Sequence, residues 1–158
     1  MIYKPAEESF RKGVASLKEH RGKEALAFFE ASLLLDSRAR RTSGQPRYRS
    51  YYGLCLATTT GKMREALKLC RKAGEDEFYN WEVWFNLGKV EKAAGNSYKA
   101  HKAFIRALHF SPKSQEIRQE LTDLGLRRQP VFKFLDRAHP LNRLMGRMTY
   151  RKPQLVDL

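Results

Sequence analysis

The sequence predicts an all-α chain built from antiparallel helical hairpins stacked one on the next. Two observations carry this expectation: a spaced set of small and large residues recurs along the chain, and apolar residues repeat at helical rather than alternating intervals. A third observation, glycine and proline at the joints between these segments, sets where the helices end.

The clearest copy of the repeating set lies within residues 81–112. It contains Trp84, Leu87, Gly88, Gly95, Ala100, Phe104, Ala107 and Pro112. Two antiparallel helices approach closely only where side chains are small, so Gly88, Ala100 and Ala107 are expected at the helix–helix contact. Trp84, Leu87 and Phe104 fill the remaining space. Gly95 suits the left-handed residue that ends a first helix, and Pro112 stops the second. This W-x2-L-G, small, aromatic, small, proline pattern resembles the tetratricopeptide repeat.

One repeat period of 34 residues earlier stand Leu54, Gly61, Ala66, Cys70 and Ala73. In this copy glycine and leucine are swapped as Gly53-Leu54, Ser50 replaces the tryptophan, and Glu75-Asp76-Glu77 occupies the proline junction. A third copy holds Gly13, Ala25, Phe29 and Ser32, with Lys23-Glu24-Ala25-Leu26 echoed by Arg64-Glu65-Ala66-Leu67. Ala25 and Ala66 are 41 apart, and the surplus of about seven residues over the repeat period is assigned to a loop from Ser37 to Pro46. The predicted helices lie near 5–20, 23–36, 46–60, 62–73, 79–94 and 97–110. A seventh near 113–127 places Ile117, Leu121 and Leu124 on one face and Gln115, Glu116, Arg118 and Gln119 outside, as a capping helix requires. The resemblance thus implies about three repeats and a cap, forming a short right-handed α-solenoid. The domain reading is a helical repeat domain at 1–127 and a basic tail at 128–158.

In this family the first helix of each hairpin lines a concave surface that takes peptides or helices. Carried over by phase, the lining residues are Phe10, Val14, Leu17 and Lys18, then Tyr48, Tyr51, Cys55 and Thr58, then Glu82, Phe85, Lys89 and Lys92. Each set steps by three or four residues and so lies on one helical face. Such a groove is aromatic and apolar at one end and basic at the other, which suits a peptide or helix with apolar anchors and some acidic residues. The alternative is that some of these aromatics pack against a neighbouring hairpin. Relatives that hold the C-terminal carboxylate of chaperones use a fixed set of lysines and asparagines. Here Tyr51, Tyr52 and Cys55 stand where polar clamp residues belong, and Asn86 alone does not restore the set.

The formal charge of +14 invites an anionic partner. The charge is uneven: residues 127–152 carry Arg127, Arg128, Lys133, Arg137, Arg143, Arg147, Arg151 and Lys152 against Asp136 alone. Around Phe132, Phe134 and Leu135 the chain reads as extended, because Pro130 ends the helix before it. Beyond Pro140, Leu141, Leu144, Met145 and Met148 form an apolar stripe beside Arg143, Arg147 and Arg151, a short basic amphipathic helix. Three readings of this tail compete: it packs on its own array, docks on a partner, or meets an anionic membrane or RNA.

The chemistry expected is binding, with no enzyme activity and no cofactor. His20, His101, His109 and His139 are scattered, without a metal set, a nucleophile motif or a phosphate loop around them. Cys55 and Cys70 are expected as reduced core residues. No run approaches the roughly 18–20 apolar residues of a membrane span, and the polar start Met1-Ile2-Tyr3-Lys4-Pro5-Ala6-Glu7-Glu8 points to the cytoplasm. The leading function is a protein-interaction module. The alternative is nucleic-acid binding through the basic surface, the tail and the cluster Arg47-Tyr48-Arg49-Ser50-Tyr51-Tyr52.

Overall fold

A closely packed residue pair sets the geometry of each hairpin. In a computed structural model that describes residues 3–40 and 44–124, seven helices follow one another: α1 (Lys4–Lys18), α2 (Gly22–Arg40), α3 (Pro46–Thr60), α4 (Met63–Asp76), α5 (Trp81–Ala93), α6 (Ser97–Phe110) and α7 (Gln115–Leu124). They pair as α1 with α2, α3 with α4 and α5 with α6, and α7 packs on α6. The described helices belong to one compact unit that runs to Gly125. The tail residues Phe132, Phe134, Leu141, Arg143, Leu144, Met145 and Arg147 lie outside the described residues.

Within each pair, a glycine on the first helix meets a buried side chain of the second. A Cβ on Gly13 would lie 2.7 Å from the Phe29 ring, and one on Gly88 would collide with the Phe104 ring. In the middle hairpin the contact residue is Gly53, whose added Cβ would sit 2.7 Å from Cys70 Sγ and 3.2 Å from the Ala66 carbonyl. Stepping back one repeat period lands on Leu54 instead. The swapped Gly53-Leu54 order therefore turns α3 by one residue, about 100°, relative to the face the spacing implies. Leu54 then joins the core with Leu56, Leu87 and Val90.

The helix ends follow the composition. Pro5 and Pro46 occupy the first turns of α1 and α3, where a missing N–H costs nothing. Asn80 caps α5 by accepting from the Glu82 amide at 3.0 Å. Two hairpin turns use glycine in the left-handed region, Gly61 at φ 72° and Gly95 at φ 77°. The first turn places His20 there, at φ 59°. Its backbone bonds match those of the third turn: the Arg21 amide donates to the Ser16 carbonyl at 2.9 Å, as the Asn96 amide does to the Glu91 carbonyl at 2.9 Å.

The surplus residues after the first copy behave differently from the expectation of a loop across 37–46. Helix α2 continues to Arg40, one turn past the predicted end. Ala39 and the arginines around it are good helix formers, and the Ser37 hydroxyl donates back to the Leu34 carbonyl at 3.0 Å. Buried Asp36 accepts from the Gln45 amide at 2.9 Å, which ties the end of the connection to α2.

Three core clusters fill the joints. Phe10, Phe29, Tyr48 and Cys55 lie between the first two hairpins. Leu54, Cys70, Leu87 and Val90 lie between the second and third. Phe85, Phe104, Ala107 and Ile117 lie under α7. Ile117 is fully buried while Gln115, Glu116, Arg118 and Gln119 face solvent, so α7 closes the core with one face and solvates with the other. Cys55 and Cys70 are free thiols, both buried. Burial pushes the Cys55 thiol up to about 11, and burial together with Glu91 pushes Cys70 up to about 12.

Two stability changes follow. His20→Gly relieves a left-handed side chain and should raise unfolding free energy by about 1 kcal/mol, read as a shifted urea midpoint with unchanged slope. Gly53→Ala gains helix propensity but presses a methyl onto Cys70 and the Ala66 backbone. A net loss of about 1–2 kcal/mol is expected in the same assay; a gain would show that the α3–α4 contact has slack.

Candidate protein-binding groove

The first helices of the hairpins, α1, α3 and α5, share one face of the array, with α7 next in line. Among the residues predicted to line it, Phe10, Tyr48, Cys55 and Phe85 are 1%, 0%, 0% and 6% exposed. The Phe10 ring is enclosed by Phe29 at 5.5 Å, Tyr48 at 4.9 Å and Tyr51 at 5.1 Å between ring centres. The Arg47 guanidinium covers it at 4.5 Å. Cys55 lies in the same cluster. Phe10, Tyr48 and Cys55 therefore form the joint between hairpins and offer almost no surface to a ligand. The one-residue turn of α3 is the reason Tyr48 and Cys55 point inward. Phe85 is likewise packed on Phe104 and Trp81, with Lys89 Nζ 4.3 Å above its ring.

Val14, Leu17, Tyr51, Lys89 and Lys92 remain half-buried and reach solvent. Tyr51 donates its hydroxyl to Glu82 Oε1 at 3.1 Å. Lys92 pairs with Glu120 of α7 at 2.7 Å. Among the described residues no ion pair holds Lys89.

A row of charges missed by the sequence reading crosses this face. Arg47 Nε lies 2.6 Å from Glu82 Oε2, linking α3 to α5. Tyr48 donates to Glu7 Oε2 at 2.8 Å, linking α3 to α1. Glu7, Arg47 and Glu82 each stand six residues before the contact glycine of their hairpin, Gly13, Gly53 and Gly88. Aligning the copies on glycine, rather than on the repeat period, is the signal that would have found the row.

The arginine–tyrosine cluster proposed for nucleic acid is largely engaged inside the fold. Arg47 pairs with Glu82. The nearly buried Arg49 side chain pairs with Asp76 at 2.9 Å, and Tyr48 is fully buried. Asn86, the isolated candidate for a carboxylate clamp, is also buried and donates to Ser50 Oγ at 3.2 Å. No three His, Cys, Asp or Glu side chains among the described residues are placed to hold a metal ion, and no described helix is long and apolar enough to cross a membrane.

Solved structures with this arrangement of paired helices are helical-repeat proteins. The chain superposes on the TPR domain of Sgt2 from Aspergillus fumigatus with a TM-score of 0.61 at 15% identity, covering 88% of this chain and 93% of that one. The fold is of the tetratricopeptide-repeat type. The first TPR of Spaghetti (RPAP3), solved bound to an HSP90 peptide SRMEEVD, matches at a TM-score of 0.60 and 18% identity over 75% of this chain and 91% of that one. A structure of Naa15/Naa10 bound to HypK-THB gives a TM-score of 0.65 and 23% identity over 76% of this chain; the match spans only 17% of the chain it aligns to. No protein-family model and no curated protein sequence matches this chain.

The two hydroxyls of the shared face give it a pH response. Burial first, then Glu7, pushes Tyr48 far above the usual tyrosine range; burial first, then Glu82, does the same for Tyr51. Unfolded tyrosines ionise near 10, so above that pH the unfolded chain gives up protons that the folded chain holds. The contribution of these two tyrosines to stability is therefore constant below about pH 10 and falls as pH rises beyond it. Tyr51→Phe should lose about 1 kcal/mol at neutral pH with the hydrogen bond to Glu82. It should also flatten the alkaline fall, as measured by urea midpoints across that range.

Proposed function

We propose that this chain is a non-enzymatic interaction module whose shared α1–α3–α5 face holds an extended or helical segment of another protein. The observation that carries the reading is the set of side chains left reaching solvent on that face. Val14 and Leu17 offer apolar contact on α1, Tyr51 offers a ring edge in the middle, and Lys89 offers a cation on α5. A ligand with an apolar anchor at one end and a carboxylate at the other meets each of these groups. The peptide-bound state of the similar Spaghetti repeat domain supports a peptide-binding role for this fold.

The ligand differs from a chaperone-tail carboxylate held by a polar clamp. Val14 and Leu17 present apolar side chains on α1, and the central Glu82 of α5 is engaged by Arg47 and Tyr51. A terminal carboxylate at that point would meet the Arg47–Glu82 ion pair, whose charges offset each other, rather than a free cation. The preferred segment is therefore internal, with its acidic residue directed to Lys89 rather than to the centre. A cytoplasmic setting fits this reading.

The test is a pull-down by the full chain from source-cell lysate after nuclease treatment, followed by affinity measurement on the retained protein. Val14→Arg and Lys89→Glu should each weaken binding by about tenfold or more with helical circular dichroism unchanged. Equal affinity for wild type and both variants would place the interaction on a different surface.

A further inference from the structure

The cations of the array are distributed in two ways. On the other described helices many arginines and lysines are held by carboxylates: Arg11 by Glu7, Arg47 by Glu82, Arg71 by Glu91 and Lys92 by Glu120. Helix α6 carries no acidic residue, and among the described residues no ion pair reaches Lys99, Lys102 or Arg106. Two of these cations sit on aromatic rings instead. Lys102 Nζ lies 4.6 Å from the Tyr98 ring centre, and the Arg106 guanidinium 4.4 Å from that of Trp84.

These groups run along α6 from Tyr98, opposite the face that buries Ala100, Ala103, Phe104 and Ala107, round to Arg106 and Phe110 on its flank. Tyr98, Lys102, Arg106 and Phe110 recur every four residues along it. At its C-terminal end the stripe continues through rings from the α4–α5 connection: Tyr79 lies 5.9 Å and Phe78 6.5 Å from Phe110. Tyr79 is 70% exposed and Tyr98 64% exposed, the largest exposures among the big apolar side chains of the described residues. The ring of Tyr79 lies against that of Phe78, with centres 3.6 Å apart and planes tilted by 37°. The Phe78 carbonyl in turn accepts from Trp84 Nε1 at 2.7 Å.

We infer that this α6 stripe is a binding surface for single-stranded nucleic acid, separate from the shared face of α1, α3 and α5. Two cations without an ion-pair partner among the described residues, Lys102 and Arg106, set between the ring of Tyr98 and those of Phe110 and Tyr79, match a ligand that carries both phosphates and flat bases. The Arg106 guanidinium, held over the Trp84 indole, is a planar cation on which a base can stack. Among the described residues the stripe lies on exposed helix surface with no strand edge beside it. A bound peptide needs such a feature to bury its anchors, whereas a single strand drapes over a convex surface and stacks on what it meets. Duplex is disfavoured by the same geometry, since its bases are not free to reach the rings.

The test titrates the full chain with a labelled single-stranded RNA dodecamer of mixed sequence, followed by fluorescence anisotropy over a range of salt concentrations. Lys102→Gln and Arg106→Gln should each reduce the slope of log Kd against log salt by about 0.7, the value for one phosphate contact on a single strand. Tyr79→Ala and Tyr98→Ala should weaken binding by about 5- to 150-fold each and leave that slope unchanged, because stacking releases no counterion. Tyr79 lies outside any helix, so its variant reports the ring contact without altering α6. Lys89→Gln, on the shared face, should leave RNA affinity unchanged, which separates this surface from the protein-binding one.

Wild-type affinity and slope in the α6 variants, with loss confined to Arg143→Gln and Arg147→Gln, would overturn the assignment. So would an acidic, aromatic-containing peptide that binds the stripe with the same variant sensitivity while RNA does not bind.

Discussion

The contact between a glycine on one helix and a buried side chain on its partner is the constraint from which the rest of this array follows. Gly13 against Phe29, Gly53 against Cys70 and Gly88 against Phe104 bring each pair of helices together. Each contact also fixes the rotation of the first helix about its own axis. That rotation decides which side chains enter the joint between hairpins and which reach the shared face. A Cβ at any of the three positions meets atoms that are themselves buried, so there is little room to relax. The middle contact is the least forgiving, because one of its three neighbours is backbone.

Once rotation is fixed, polar groups have determined places. Glu91, almost fully buried, accepts from Arg71 Nε at 2.9 Å and Nη2 at 2.7 Å, and from Asn96 Nδ2 at 2.7 Å. One carboxylate thus joins α4, α5 and the turn that leads into α6. Arg49 reaches Asp76 and so ties the start of α3 to the end of α4. The buried charges of Glu91 and Arg49 each have a charged partner, which matters more than the Coulomb attraction: removing that partner would leave a desolvated charge. Together with Glu7, Arg47 and Glu82 they give the stack a specific order, because a hairpin placed out of register would bury charges without partners.

The sequence made the repeats visible because the pairing of small and large residues has a strict period. Helix starts were legible from Pro46 and from the apolar periodicity, and the capping role of α7 from Ile117, Leu121 and Leu124. What failed had local causes. The inversion Gly53-Leu54 looks trivial in an alignment anchored on period, yet it turns α3 by about 100° and sends Tyr48 and Cys55 into the joint. His20 does the work of a glycine in the first turn, a role its side chain hides from composition. The stretch after Ser37 was read as a loop from its arginines, serine and glycine. The arginines and Ala39 instead lengthen α2, a case where helix propensity and the Asp36 contact outweigh the turn-like neighbours.

The same rotation separates charge into two environments. On the shared face Arg47 is neutralised by Glu82 and Lys92 by Glu120 of α7, so its attraction for a ligand rests on shape, ring edges and cations such as Lys89. Helix α6 contributes no carboxylate, and its lysines and arginine lie on rings. Net charge alone therefore misleads about where an anion would go. The arginine–tyrosine cluster in α3 reads as the most nucleic-acid-like segment of the sequence, but α3 sits between two hairpins, and packing from both sides consumes its polar groups. Among the described residues, helix α6 packs against α5 and α7 and leaves its outer side exposed. Its plain pattern of tyrosine, lysine and arginine every fourth residue stays at the surface, because Ala100, Ala103, Phe104 and Ala107 satisfy the core from the opposite side. Exposure, set by the glycine contacts, decides which basic segment of this chain can meet a polyanion.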